Sequence, residues 1–461
     1  MENQAENNKM GTMRVDRLLL GMGLPMIVSM VLQAVYNIVD SAFVSNMEQN
    51  GEAALGALTL AFPVQMLLVA IGIGTGVGAN ALLSRALGEG DRARVNRIAG
   101  NAVFLAAVIY VLFALFGVFG VRTYVYSQTK NALIADFAVQ YLRICCTCAC
   151  GIVFFSIYEK LLQATGRSML STVAQIAGAV TNMVLDPIMI YGWLGCPALG
   201  VAGAAWATVI GQCVSCALAL GFHCKANREI ENSLRYLKPC GALIGEIYTI
   251  GLPAILAQAL MSVMTYGMNL ILGGVSEAAV TAYGLYYKMQ QFVLFAAFGL
   301  RDAITPVVSF NYGMRSRERV CAGMRYGMGF TIAIMVIGLT VVELCARPLT
   351  GVFGLSEQTA ALCMGAMRIV SLSFVCAGAN IAFQGIFQAL GAGSASLIVS
   401  VFRQFVFVLP VAWGFARLAQ RTPARMWLVW STFPLAELLT AVIACVLLRH
   451  LLRTKLGALE A

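Results

Sequence analysis

Asp, Glu, Lys and Arg together make up only 11% of the 461 residues, less than half the share carried by ordinary water-soluble domains. With 60% of residues hydrophobic and a mean hydropathy of +0.81, the chain cannot clothe itself in a hydrated surface. A soluble globular protein is excluded and a membrane-embedded one is required. Histidine is nearly absent: the two present, His223 and His450, fall at the ends of apolar runs, and neither HExxH nor Gly-x-Ser-x-Gly occurs. Zinc hydrolase and serine hydrolase chemistry therefore have no residues to run on, and the reading is of a non-enzyme with no cofactor. No basic patch is interleaved with aromatics, so the net charge of +10 does not point to nucleic acid. No cleavable signal is present either, because the first apolar run (18–44) is too long and lacks a small-residue cleavage site.

Cysteine is plentiful but sparse in the polar loops where disulfides of secreted proteins are made. Most of the 14, including Cys145, Cys146, Cys148 and Cys150, lie inside apolar runs and read as small packing residues. The CxxC spacings at Cys145/Cys148 and Cys213/Cys216 sit on such runs too, which argues against metal or redox chemistry. The glycine run Gly72, Gly74, Gly76, Gly78 follows no strand and lacks a Gly-Lys-Ser/Thr ending, so it reads as close helix packing rather than a phosphate loop.

The chain contains apolar runs of membrane-spanning length. A span with its loop uses about 38 residues, which allows about twelve crossings. They are placed near 18–44, 54–83, 98–120, 133–156, 169–191, 200–222, 243–272, 279–309, 326–344, 360–387, 395–416 and 426–448. The two tails and the loops on their side hold 20 of the 31 Lys and Arg, and the opposite loops hold six. The positive-inside rule then places both termini in the cytoplasm, and the short loops suit a bacterial inner membrane.

The sequence also repeats itself. At an offset of 228, Gly23, Leu24, Pro25, Ile27, Leu32 and Val35 fall on Gly251, Leu252, Pro253, Ile255, Leu260 and Val263. At an offset of 225, Ser84, Gly88, Arg92, Arg94 and Val95 fall on Ser309, Gly313, Arg317, Arg319 and Val320, and Gln163, Ala164, Gly166 and Ser171 fall on Gln388, Ala389, Gly391 and Ser396. The expected fold is all-α and integral to the membrane, with twelve transmembrane helices in two pseudo-symmetric six-helix bundles. A tail (1–17) precedes an N-lobe (18–222), a cytoplasmic linker (223–242), a C-lobe (243–448) and a second tail (449–461). Because six is even, the repeats run parallel, which is a transporter architecture.

The chemistry is narrowed by the cost of an acidic group at the bilayer centre, at least ~2.5 kcal/mol. Asp40 and Asp186 are the clearest acidic residues within spans. Gln33, Asn37 and Asp40 follow at i, i+4, i+7 and share a face; Asn182 and Asp186 are i, i+4, with Pro187 next, and Thr208 adds a hydroxyl on the following helix. These hard oxygen ligands suit exchanging protons or Na⁺, the latter at Asp40, Asn182 and Asp186. The plainer alternative is that each carboxylate merely bonds a neighbouring helix. The repeat weighs against it, because Met268, Phe407 and Val411 stand opposite Asp40, Asn182 and Asp186 in the second lobe.

The second lobe has polar groups of its own: Lys288, Arg403 and Glu437, with Asn269, Asn380, Gln384 and Gln388. Lys288 and Glu437 fit either a buried pair or the wall of a substrate cavity, to which Gln384 would belong. Met261 and Met264, with Met268, Tyr266, Tyr286, Tyr287 and Phe292, fit either plain core or a soft wall for flat hydrophobic cations.

Taken together, several stretches resemble the multidrug and toxic compound extrusion (MATE) transporters along essentially the whole chain. They are the Gly-Leu-Pro opening of both lobes, Asn37-Ile-Val-Asp40, Gly88-Glu-Gly-Asp91, Gln163-Ala-Thr-Gly166, Asn182-x-x-x-Asp186-Pro187 and Gly200-Val-Ala-Gly-Ala-Ala-Trp-Ala-Thr208. The resemblance implies an antiporter that exports organic cations or amphiphilic compounds in exchange for H⁺ or Na⁺ by alternating access. It carries a cation-coupling site onto Asp40, Asn182, Asp186 and Thr208, and a bend of the first helix onto Pro25. Several branches of that family have a glutamate about eight residues past the helix 7 proline; here the position is Met261. A monomer among membrane lipids is expected, with small organic molecules as partners. The rival within transport is a flippase for a lipid-linked precursor, which would want several cations for phosphate.

Overall fold

In a bilayer every backbone amide and carbonyl must find its partner within the protein, which leaves uninterrupted helices as the way to bury long apolar runs. The computed structural model, which describes residues 8–47, 50–352 and 357–457, is built from them. Among the described residues ten helices are long and apolar enough to cross a membrane, and two bent pairs bring the number to twelve if each pair is one span. In chain order these are α1 (Val15–Ser45), α2 (Gly51–Glu89), α3 (Arg92–Gln128), α4 (Ala132–Thr147 and Cys150–Ala164), α5 (Ser168–Tyr191) and α6 (Val201–Ala226), then α7 (Gly241–Gly273), α8 (Glu277–Gly313), α9 (Arg317–Val352), α10 (Glu357–Ser371 and Phe374–Ala389), α11 (Gly393–Arg421) and α12 (Met426–Leu451). Of the expected tails, residues 1–7 and 458–461 lie outside the described residues, and Lys9–Thr12 forms a helical turn.

The ends of the helices are made by identifiable side chains. Asp91 accepts from the Arg94 backbone N–H at 2.9 Å, starting α3, directly after Gly90 has ended α2 with φ 75°. Ser276 does the same for α8 through Ala279, at 3.1 Å. Such oxygens satisfy donors that a helix start leaves open. Gly166 and Gly391, one repeat apart, both have positive φ (78° and 72°), and so explain why the Gln-Ala-x-Gly turn ends in glycine in each half.

Several helices run past their apolar stretch into polar sequence. α9 begins at Arg317 rather than near 326, with Glu318 in its first turn, where an acidic group suits the helix dipole. The second half of α4 runs to Ala164, so Glu159, Lys160 and Gln163, expected in a loop after 156, are helical and buried. α4 and α10 are also bent, by 47° and 52°, at Cys148–Ala149 and Leu372–Ser373.

The chain divides into two compact units: 28–251, and 8–27 with 252–457. Each division falls inside a helix, close to Pro25 in α1 and Pro253 in α7. Within the first unit the core is rich in alanine, with Ala54, Ala57, Ala61, Ala135, Ala138 and Ala204 buried together, so that backbones approach closely. A Cβ on Gly211 would stand 2.7 Å from the Gly178 carbonyl oxygen, and one on Gly78 would strike the carbonyl of Ile247. The glycine run of α2 is thus a packing surface. The second unit is filled with larger side chains, among them Tyr283, Tyr286, Phe374 and Trp430. All 14 cysteines are free thiols; Cys196, in the connection before α6, and Cys224, near the far end of α6, are exposed.

Candidate functional site

The first unit encloses a cavity of about 380 Å³, walled by α1, α2, α4, α5 and α6. Ser29, Gln33, Tyr36 and Asp40 give α1 one lining stripe at i, i+4, i+7, i+11, while Asn182 of α5 and Thr208 of α6 line the opposite wall. The side chain of Asn37 lies outside the described ones. The upper stripe is held to α5: Gln175 accepts from the Ser29 hydroxyl and donates to Gln33 Oε1 at 3.2 Å. On the α2 side, Gln65 donates to the Tyr141 hydroxyl at 3.2 Å.

Asp40 and Asp186 are both buried, at 8% and 0% exposure, and each has one carboxylate oxygen, Oδ1, without a hydrogen-bond partner. Burying an anionic oxygen without a donor is costly, which makes these two atoms receptive to a proton or a metal cation. The Asn182 amide bridges Asp186 to α6. With its nitrogen donating to Asp186 Oδ2 at 3.2 Å, its oxygen accepts from the Thr208 N–H at 3.1 Å. The reverse orientation would set the amide oxygen against a carboxylate, so the bridging one is favoured. Pro187 follows directly and takes away the helical donor to the Met183 carbonyl, loosening the backbone beside the site.

A second polar cluster lies on α4, where Lys160 donates to Gln163 Oε1 at 2.9 Å and Gln163 donates to Glu159 Oε1 at 2.9 Å. Ser156, Glu159 and Lys160 also line the cavity. The sequence reading missed this cluster and Tyr36. Their helical spacing was visible, Ser156, Glu159/Lys160 and Gln163 following at i, i+3/i+4, i+7, once α4 is extended past 156.

Among the C-lobe residues singled out from sequence, Met261 and Met264 are half-buried on α7, Met264 against the hydrophobic core. Gln384 is buried and donates to Ser400 at 3.1 Å. Lys288 is exposed, and Glu437 pairs instead with Arg403, whose Nε reaches Glu437 Oε1 at 2.6 Å. Asn380 adds a bond to Glu437 Oε2 at 2.7 Å. Arg301 is taken up by Asp302 at 2.8 Å. Among the described residues no group of three or more His, Cys, Asp or Glu is placed to hold a metal ion.

The family model described as MatE matches residues 25–188 and again 253–413, one match for each half of the repeat. The chain is 26% identical over 445 residues to the multidrug export protein MepA of Staphylococcus aureus, covering 96% of this chain and 95% of that one. It is 24% identical to the MepA of Staphylococcus saprophyticus, over 94% and 93% of the two chains. Among solved structures, one of the outward-facing conformation of a multidrug resistance MATE family transporter of the MOP superfamily superposes with a TM-score of 0.88 at 23% identity, covering 97% of both chains. A MOP superfamily transporter from Pyrococcus furiosus, described as having a binding pocket of reverse polarity, gives 0.87 at 24% identity over 98% of both chains. These likenesses show a shared fold.

Proposed function

We propose, for a chain that belongs to the MatE family and is a secondary active, multi-pass membrane transporter rather than an enzyme, that it exports organic cations or amphiphilic compounds in exchange for H⁺ or Na⁺. Asp40, Asn182, Asp186 and Thr208 form the coupling site, with Gln33, Asn37 and the hinge at Pro25 in support. The observation that carries this reading is the pair of buried carboxylates with an unpartnered oxygen each, facing or adjoining one polar cavity. The lobes correspond to 18–222 and 243–448, joined by the linker 223–242, with both termini in the cytoplasm of a bacterial inner membrane. The transporter works as a monomer and needs no cofactor beyond its coupling ion.

In the cycle, the outward-open transporter takes up the ion at Asp40 and Asp186, helix α1 bends at Pro25, and the compound is displaced outward. Release of the ion to the cytoplasm resets the protein. One charge moving through ~100 mV supplies about 2.3 kcal/mol, enough to hold a roughly fifty-fold gradient of a neutral compound. A monovalent cation exchanged one for one gains nothing from the potential, so its export draws on a chemical ion gradient or on more than one coupling ion. The flippase alternative has little support, since Arg403 and Arg301 are each paired with a carboxylate.

The test is dye efflux from proteoliposomes under a pH gradient or a Na⁺ gradient, each imposed alone, with Asp40→Asn and Asp186→Asn beside the wild type. Movement driven by one gradient and lost in both folded variants supports the antiporter and names the ion. Unimpaired transport by the variants would remove the coupling site, and no movement under either gradient would bring the flippase forward.

A further inference from the structure

The connection between α11 and α12 gathers positive charge on the side of the bundle where the sequence has least of it. Of the six Lys and Arg in the loops opposite the termini, three lie within the nine residues 417–425: Arg417, Arg421 and Arg425. No Asp or Glu occurs anywhere from 358 to 436, so this stretch supplies no counter-charge of its own. All three arginines are exposed, and among the described residues none forms an ion pair with a carboxylate. Trp413, Arg417 and Arg421 follow at i, i+4, i+8 on the regular part of α11, beside the buried row Ala412, Ala416 and Ala419. The Arg417 guanidinium carbon lies 3.8 Å from the centre of the Trp413 ring, which is itself 51% exposed.

The bland explanation is that long arginines at a helix end simply reach past apolar surface into water. Arg417 does otherwise, lying against an exposed indole, and cations are disfavoured on this side of a membrane unless something there holds them. Nor does the bundle need them for its own construction. At the offset of 225 the first repeat has Ile188, Gly192, Cys196 and Gly200 where the second has Trp413, Arg417, Arg421 and Arg425. The cluster is also held in place. Gln420 donates to the Gly274 carbonyl at 2.7 Å, and the Arg425 N–H donates to the Thr422 carbonyl at 2.9 Å, closing the turn into α12. Further along, the same two helices expose Phe405, Val406, Leu435 and Leu438 at 38% to 53%. A partner for this surface therefore combines an anionic head with apolar chains.

We propose that Trp413, Arg417, Arg421 and Arg425 form a headgroup site for an anionic phospholipid. Arg417 and Arg421, one turn apart, take the phosphodiester, whose oxygens match the fork of a guanidinium. Trp413 holds the Arg417 side chain at the depth of the headgroups, where indoles settle in a bilayer. Arg425 adds charge from the turn, and the acyl chains lie along the exposed apolar surface of α11 and α12. In the topology proposed above the lipid belongs to the outer leaflet. The site lies apart from the coupling residues and does not depend on the efflux reading.

The test titrates the purified full chain in detergent with dioleoylphosphatidylglycerol or dioleoylphosphatidylcholine, which share their acyl chains and differ in net charge, and counts bound lipid by native mass spectrometry. The wild type is expected to bind the first phosphatidylglycerol roughly tenfold more tightly than phosphatidylcholine, and Arg417→Gln/Arg421→Gln to lose that preference. Arg122→Gln/Lys130→Gln removes the same charge from exposed positions on the same side and is expected to keep it. Inorganic phosphate at millimolar concentration is expected to leave the lipid bound, because it lacks the chains. Equal binding of the two lipids by the wild type, or a preference kept by Arg417→Gln/Arg421→Gln, would overturn the site. An equal loss in Arg122→Gln/Lys130→Gln would reduce it to overall charge, and displacement by inorganic phosphate would assign the arginines to the free anion instead of a lipid.

Discussion

Arg94 of α3 donates to Glu246 of α7 at 2.7 Å, and so pins the lead-in of the second repeat's first helix. Its repeat counterpart, Arg319 of α9, does the same for the first repeat. Arg319 donates to the carbonyl oxygens of Met10 at 3.0 Å and Met13 at 2.7 Å, and to Asn311 Oδ1 at 2.7 Å. One arginine position, duplicated, thus holds two different kinds of acceptor.

The two arginines should differ in what they contribute. Arg94 and Glu246 are 35% and 44% exposed, so the pair is screened and Arg94→Ala is expected to cost ~0.2–1 kcal/mol. Arg319→Ala removes a donor from three acceptors, of which the Met10 carbonyl keeps only the longer bond from Asn311 Nδ2 at 3.4 Å, and is expected to cost about 1–3 kcal/mol. Thermal unfolding in detergent should therefore rank Arg319→Ala below Arg94→Ala, and equal melting temperatures would contradict this.

Asn182 should be as sensitive as the carboxylates it serves. Asn182→Leu keeps the volume but removes both the donor to Asp186 and the acceptor for Thr208, and coupled efflux is expected to fall roughly tenfold or more. Thr208→Val leaves the backbone bond in place and should lose less. Initial rates in proteoliposomes at equal protein density would show the order.

Glycines in this chain divide sharply by what surrounds them. A Cβ on Gly203 would collide with the backbone of Met189, whereas one on Gly221 meets nothing within 4 Å. Gly203→Ala is expected to destabilise by ~1–3 kcal/mol through forced separation of α5 and α6. Gly221→Ala should be neutral or gain up to about 1 kcal/mol from helix propensity. Melting temperatures moving in the same direction would argue against this packing.

His223 is a structural residue. Buried at 1% exposure, its Nε2 lies 2.9 Å from Asn232 Oδ1 and its Nδ1 lies 2.9 Å from Asn227 Nδ2, a pattern met by the neutral ring protonated on Nε2. His223→Ala should cost about 1–3 kcal/mol by stranding two amides, with coupled transport retained by the protein that folds. A variant as stable as the wild type would show that water replaces the ring.

Much of this architecture was legible because hydropathy and charge act locally: an apolar run of spanning length reads as a helix whatever it touches. The bends at Cys148–Ala149 and Leu372–Ser373 were not legible, since neither carries a proline or glycine. The polar stripe of α1 could be read from spacing, yet Tyr36 was passed over because an aromatic ring looks like core until a cavity is found beside it. Lys160 falls beyond the span placed at 133–156, and a charged residue there gives no sign that the helix continues to Ala164. The partner of Glu437 could not be read at all. Spacing fixes the face of a helix, but whether Lys288 or Arg403 meets that face depends on how separate helices rotate against one another, and Arg403 lies 34 residues away.

The thiols of this chain are also a set of built-in probes. Cys196 and Cys224 are free and exposed at opposite ends of α6, so a bilayer crossed by that helix must leave them in different compartments. A maleimide too polar to cross the membrane, added to intact cells, will find one and spare the other, and the site of the adduct tells which way the whole bundle was inserted. With both termini in the cytoplasm, Cys196 is the one it should reach.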